Sequence, residues 1–241
     1  MASAKKVHLQ CLFCKGLEKS LFCGLSNEEL NEISENKTCV TYKKGQTLFY
    51  EGTRPMGLFC VNSGKIKVSR MSSQGKEYIL RISSPGDFLG YRALLSEEHY
   101  AASATVIEDA QVCFIPKSDF LKTLQKNPAF FERMMKAVCH ELGVLEERVA
   151  DLAQKSVRER LAGTLIMLKD TYGLEKSDHN KPDLIDLALS REDLASIVGT
   201  ATETVIRLLS EFKNDGLISM EGKKIKVLDV KKLAKEADFY A

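Results

Sequence analysis

The chain has 241 residues, 44% hydrophobic and 28% charged, with a formal net charge of +2. That suits one large or two modest soluble domains. No apolar run reaches the length of a membrane span, and Lys5 and Lys6 lead into no apolar core, so neither a transmembrane helix nor a secretory signal is expected and the expected location is the cytoplasm. Seven cysteines, an odd number in a reducing compartment, argue against a disulfide framework. Free thiols, metal or cluster ligands, and redox sensors stay open.

The first block, residues 1–36, holds Cys11, Cys14 and Cys23 and then a short helix. Ser26 followed by Glu28, Glu29 and Leu30 reads as an N-cap with an acidic first turn. The second block, residues 37–126, alternates turn clusters with short apolar runs. Thr47–Tyr50, Leu58–Val61, Ile66–Val68, Tyr78–Ile82 and Val112–Ile115 read as strands, separated by Asn62-Ser63-Gly64 and similar turns. Many short strands with regular turns predict an antiparallel barrel or sandwich. No nucleophile–base arrangement is visible in this block, so the chain is not read as an enzyme.

The third block, residues 127–154, predicts one long helix. Asn127-Pro128 supplies a cap and a first-turn proline. Phe131, Met135, Val138, Leu142, Leu145, Val149 and Leu152 then recur at alternating steps of four and three, the a/d seam of a two-helix contact. The functional reading is homodimerisation through this helix; the bland one is packing on the chain's own barrel. Cys39, Cys60 and Cys139 read as core.

The fourth block, residues 155–241, carries the most informative segment. A polar loop is expected at Glu175–Asp183. Ser190 caps a helix with an acidic first turn and a buried stripe of Leu194, Ile197 and Val198. Gly199 marks a sharp turn. Thr200 and Glu203 have capping-box spacing at the start of a second helix, which buries Val205, Leu208, Leu209 and Phe212. Thr202, Glu203, Ile206 and Arg207 are left on its outer face, where a helix-turn-helix meets base edges of double-stranded DNA. Arg207 can donate two hydrogen bonds to guanine, and Glu203 can accept from cytosine. The bland alternative is a Glu203–Arg207 ion pair at i, i+4. A hairpin follows, tipped at Glu221-Gly222, whose Lys223 and Lys224 suit phosphate.

The motifs Lys44-Gly45-Gln46-Thr47-Leu48-Phe49, Ser63-Gly64-Lys65-Ile66-Lys67, Gly86-Asp87-Phe88-Leu89-Gly90, Val112-Cys113-Phe114-Ile115-Pro116 and Glu203-Thr204-Val205-Ile206-Arg207-Leu208-Leu209 give the chain a resemblance to the CRP/FNR family, and to FNR-like members above CRP-like ones. The resemblance spans nearly the whole chain. It implies an α+β fold: an N-terminal cyclic-nucleotide-binding-like β-roll, a long dimerisation helix and a C-terminal winged helix-turn-helix. It also implies a homodimer on palindromic promoter sites, with RNA polymerase a frequent partner. Ile206 departs from the family, where serine or glycine is usual, so an altered outer base preference is expected.

What the resemblance implies about the effector is mixed. The pocket would comprise Gly90, Tyr91, Arg92, Ala102 and Ser103. Tyr91 stands where the family's ribose-binding glutamate would be, and Ala102 where its phosphate-binding arginine would be, which argues against cyclic AMP because a buried phosphate needs a cation. Arg92 sits at the wrong point of the motif to substitute. FNR-like members instead imply a [4Fe–4S] cluster on four cysteines. Cys11, Cys14 and Cys113 match three of them; the fourth falls on Ser20, with Cys23 three residues further on as the stand-in. A relative without a cluster, with Cys113 a plain strand residue, is the competing expectation, and the effector stays unknown. The alternative function is a redox- or ligand-sensing module that acts through protein contacts and does not read DNA.

Overall fold

The computed structural model describes residues 5–7, 9–173, 185 and 189–238. The loop expected at Glu175–Asp183 lies outside the described residues. The chain divides into two compact units, residues 1–142 and 143–241, and the dividing point falls inside the long helix.

In the first unit, strand β1 (Lys5–Val7) and two single-turn helices, Cys11–Phe13 and Leu17–Lys19, precede helix α1 (Asn27–Asn36). The cap read from the sequence is a full capping box. Ser26 Oγ accepts from the Glu29 amide at 3.2 Å, and the Glu29 carboxylate accepts from the Ser26 amide at 2.8 Å. The strands β2 (Thr38–Tyr42), β3 (Thr47–Phe49), β4 (Gly57–Met71), β5 (Glu77–Ser83), β6 (Phe88–Leu89) and β7 (Ser103–Pro116) follow. Among the described residues they form one antiparallel sheet ordered β1-β2-β7-β4-β5, with β3 also on β7 and β6 on β4.

The turn expected at Asn62-Ser63-Gly64 is absent: Leu58–Val61 and Ile66–Val68 lie in the single strand β4. The polar residues make bulges instead, with register shifts on either side of Ser63. Gly64 has φ +82°, and a Cβ there would meet the Asp109 carbonyl at 2.4 Å, so the bulge requires glycine. Helices α2 (Tyr91–Leu95) and α3 (Lys117–Lys126) complete the barrel's cover. The barrel interior is filled by Val61, Ile66, Leu89, Ala104, Val106 and Val112. A second apolar cluster joins Cys11, Phe22 and Leu25 to α1 and to Phe120 and Phe130.

Helix α4 (Pro128–Gln154) begins where Asn127 Oδ1 accepts from the Phe130 amide at 2.8 Å. Both readings of its apolar residues apply, on different faces. Phe130 and Met134 are buried on the barrel, and Val138 packs half-buried beside them. Phe131, Met135, Leu142, Leu145, Val149 and Leu152 stay exposed, Val149 at 67%. Val138 therefore belongs to the barrel side rather than to the open seam. Cys139, expected in the core, is exposed, because it lies on the outer side of the helix.

The second unit comprises helices α5 (Val157–Tyr172), α6 (Arg191–Val198) and α7 (Thr202–Asn214), strands β8 (Ile218–Glu221) and β9 (Lys224–Val227), and helix α8 (Val230–Glu236). Leu161, Leu165, Val205, Phe212 and Leu233 make its core. Arg158 ties three elements together, meeting Glu211 at 2.9 Å, Asp215 at 3.0 Å and Glu236 at 2.7 Å, with its guanidinium 4.7 Å from the Phe212 ring centroid. Such a planar fork over an aromatic face is a role lysine cannot fill.

Candidate functional site

Residues 190–227 form a helix-turn-helix followed by a wing. Ser190 Oγ accepts from the Asp193 amide at 2.9 Å, and the Asp193 carboxylate accepts from the Ser190 amide at 3.2 Å. Of the stripe expected on α6, Leu194 and Val198 are buried while Ile197 is half-buried; Ala195 and Ser196 are buried in addition. The turn rests on Gly199 at φ +74°, a left-handed conformation that costs a side chain energy but suits glycine.

Thr200 is not the cap of α7. Its amide bonds the Ala195 carbonyl at 3.1 Å, closing the preceding helix, and the N-cap is Ala201, which has no side-chain hydrogen bond to offer. The first amides of α7 are thus left without a side-chain partner, a place that favours an anion.

On α7 the split expected from a 3.6 period is complete. Val205, Leu208, Leu209 and Phe212 are buried, whereas Glu203, Ile206 and Arg207 are exposed and Thr202 is half-buried. Ile206 is an apolar side chain left at 49% exposure on this face. The Glu203–Arg207 pair does not form. Arg207 pairs with Glu211, whose other oxygen takes Arg158, and Glu203 has no ion-pair partner among the described residues. Glu211 thus links a structural arginine to a surface one, a role the sequence reading missed because Arg158 is remote in sequence.

The wing is the β8–β9 hairpin. Glu221 pairs with Lys224, so its two-residue tip is Gly222-Lys223, one residue beyond the expected tip. Lys223 and Lys224 are both exposed. Arg191 donates to the Gly222 carbonyl at 3.3 Å and fixes the wing against α6.

The effector-pocket residues of the first unit do not form a polar cassette. Gly90 turns the chain at φ +88°, with the Tyr100 ring against it. Tyr91 and Ala102 are buried; Tyr100 stacks on Phe49 with centroids 3.9 Å apart, in the same apolar cluster as Ala102. Burial pushes the Tyr100 phenol up to about 12. Ser103 Oγ accepts from the Glu51 amide at 2.9 Å. Arg92 points outward and pairs with Glu98 at 2.8 Å. Nearby, Arg81 pairs with Glu141 of α4 and donates to the Phe88 carbonyl at 3.1 Å, which anchors the helix to the barrel. Asp87 lies by this pair, and burial raises its carboxyl above the ordinary range.

Of the expected cysteine set, Cys11, Cys14 and Cys113 come together and Cys23 does not. Cys11, Cys14, Cys60 and Cys113 line one cavity of about 20 Å³, with Ser20, Lys37 and Asn62. Cys23 is exposed and outside that lining, because the chain turns it to solvent beyond buried Phe22. Cys60, read from the sequence as core, takes the place at the cavity. Cys113 is disulfide-bonded to Cys39 across β2 and β7, contrary to the expectation of free thiols. Antiparallel register explains it: Cys39 and Cys60 are both direct partners of Cys113, on the strands flanking β7. Lys37 Nζ donates to Cys11 Sγ at 3.0 Å, and the Cys14 thiol donates to Asn62 Oδ1 at 3.1 Å. Burial pushes the Cys60 thiol well up.

A sulfur already in a disulfide is not a thiolate ligand, and about 20 Å³ admits roughly one water molecule. No group of three or more His, Cys, Asp or Glu among the described residues is placed to hold a metal ion. A [4Fe–4S] cluster on Cys11, Cys14, Cys23 and Cys113 does not fit this arrangement.

Two family models match the chain: a cyclic nucleotide-binding domain over residues 39–127 and a Crp-like helix-turn-helix domain over residues 159–236. The chain is 34% identical over 199 residues to the anaerobic regulatory protein of Bacillus subtilis strain 168, covering 82% of each. It is 28% identical to the transcriptional activator protein FnrL of Cereibacter sphaeroides, covering 95% of this chain and 92% of that one. Among solved structures, FixK2 of Bradyrhizobium japonicum shares the fold with a TM-score of 0.73 at 22% identity, over 83% of this chain and 96% of that one.

Proposed function

The chain belongs to the CRP/FNR family of DNA-binding transcription regulators, and from that premise we propose that it acts as a homodimer reading palindromic promoter sites with Glu203, Ile206 and Arg207. The observation that carries this reading is the division of α7, with one face committed to the core and the other presenting an acid, an isoleucine and an arginine to solvent. Arg207 must release Glu211 to reach a guanine, an exchange of one charge-assisted bond for two. Ile206 offers a surface to a thymine methyl. The uncapped start of α7, with Thr200 and Thr202 beside it, suits one phosphate; Ser190 at the start of α6 and Lys223 and Lys224 on the wing suit others.

Dimerisation is supported by the exposed seam of α4. Phe131, Met135, Leu142, Leu145, Val149 and Leu152 form an apolar stripe too long to leave in water without a partner, and a second copy supplies the matching stripe. The domain limits proposed are residues 1–36, 37–126, 127–154 and 155–241. Contact with RNA polymerase and a cytoplasmic location belong to the same proposal and rest on the family.

The signal enters through residues 1–142. The apolar filling of the pocket by Tyr100 and Phe49, and the outward turn of Arg92, favour an effector other than a cyclic nucleotide. The cysteine cavity favours a redox signal. Selection of bound duplexes from a random pool tests the whole reading: enrichment of a palindrome, with affinity falling steeply as salt rises, is expected. Weak, salt-insensitive binding with no enriched sequence would favour action through protein contacts instead.

A further inference from the structure

The geometry points to a thiol–disulfide exchange centre at the cysteine cavity, in which the Cys39–Cys113 disulfide is handed over to Cys11. The inference rests on the reading of residues 1–142 as a redox-sensing unit and specifies its chemistry.

Three observations converge. Cys113 sits on the central strand β7, with Cys39 and Cys60 its direct partners on either side, so one sulfur is within reach of two neighbours fixed by backbone register. Cys11 and Cys14 arrive at the same cavity on a segment far away in sequence, so both line the space that Cys113 also lines. Cys113 lines that cavity and Cys39 does not, so Cys113 is the disulfide sulfur presented to a thiol of the cavity, and access decides which sulfur is attacked.

The contacts also choose among the thiols. Cys11 receives the Lys37 ammonium at 3.0 Å, which places a cation at the sulfur that must carry charge during attack. The Cys14 thiol donates to Asn62 Oδ1 and has no such cation against it in that contact. Cys60 is buried, with no hydrogen bond among the described residues.

The step balances within the chain. The electron pair of the Cys11 thiolate forms the new bond to Cys113 Sγ. The Cys39–Cys113 bond breaks, its pair leaves on Cys39, and the proton given up by Cys11 ends on Cys39. Nothing is oxidised overall, so no outside oxidant is consumed. The product straps the Cys11–Phe13 turn to β7 just before α3, and it frees Cys39 on β2.

The test is a disulfide map of the full-length protein, prepared anaerobically and equilibrated in glutathione buffers of stepped redox ratio. Acid quenching, thiol alkylation and non-reducing peptide analysis give the linkages. Cys39–Cys113 and Cys11–Cys113 peptides should both be found. Cys39→Ser should accumulate Cys11–Cys113, and Cys11→Ser should retain Cys39–Cys113 alone. Lys37→Met should slow the interchange several-fold while leaving the melting temperature within a few degrees. If Cys39→Ser fails to fold, the wild-type map decides by itself. Absence of any Cys11–Cys113 peptide, its replacement by Cys14–Cys113 or Cys60–Cys113, or stoichiometric iron and sulfide in the anaerobic protein would overturn the inference. A gel shift on the same samples keeps the regulator reading separate, since loss of DNA binding in every redox state would count against that reading and leave the map untouched.

Discussion

Residues 143–241 and residues 1–142 keep the side chains proposed for function in opposite places. In the second unit, Glu203, Ile206 and Arg207 are what remains in water after the helix has buried its apolar stripe. In the first, Cys11, Cys60, Cys113, Tyr91 and Ala102 are themselves part of the packing. A surface that must meet DNA can be mutated with little effect on folding, whereas a buried sensor cannot change state without changing how its neighbours pack. The difference suits a regulator in which one unit responds and the other reads.

The largest expected effect falls on the helix common to both units. Leu142→Glu with Leu145→Glu should abolish the dimer in sedimentation and weaken binding to a palindrome by roughly 10²–10⁴-fold, the gain that two linked half-sites supply. A monomer that bound the palindrome equally well would break the link between the units. Next, Arg158→Ala should lower the urea-measured stability of residues 143–241 by about 2–3 kcal/mol, because Glu211, Asp215 and Glu236 would lose their shared partner. The same change in a surface arginine such as Arg92 should be near neutral. Ser190→Ala, which removes one half of a capping box, should cost about 1 kcal/mol.

The smallest effect concerns pH in the first unit. Burial, with Glu141 adding to it, raises the Asp87 carboxyl, while the Ser84 amide and Arg81 oppose the rise. The folded state then holds that proton more tightly than the unfolded one, so Asp87's own contribution to stability is fully present below the ordinary aspartate value and is lost as pH rises through the raised one. Asp87→Asn should flatten the melting temperature of residues 1–142 across that window. An unchanged slope would place the titration elsewhere.

The contrast also explains what could be read from the sequence. Helical faces repeat locally, so Val205, Leu208, Leu209 and Phe212 announced the hidden side of α7 and, by subtraction, the exposed one. The caps at Ser26, Asn127 and Ser190 were legible for the same reason, being complete within three residues. Thr200 failed because capping-box spacing says nothing of the amide's prior engagement with Ala195. The cysteine site was half-legible: the resemblance named Cys11, Cys14 and Cys113, but Cys60 and the bridge to Cys39 are brought in by sheet register, not spacing. Cys39 and Cys113 are 74 residues apart and face each other across two strands, and Cys60 joins them from a third. The two runs of β4 were split at Gly64 because a bulge glycine and a turn glycine look alike in sequence. Helix α4 was half-legible: the heptad gave the exposed seam, but the adjacent Phe130 and Met134 that hold it to the barrel lie off that pattern.

The central claim is that α7 reads base pairs through its exposed face, and the most direct measurement is a binding comparison of Arg207→Ala with Lys223→Ala on the selected palindrome and on single-base variants of it. Arg207→Ala should lose about 1–3 kcal/mol on the selected site and become indifferent to the base at one position of each half-site, while Lys223→Ala should weaken all variants alike and reduce the salt slope. Equal losses on every variant for both substitutions would contradict the assignment of α7 as the reader.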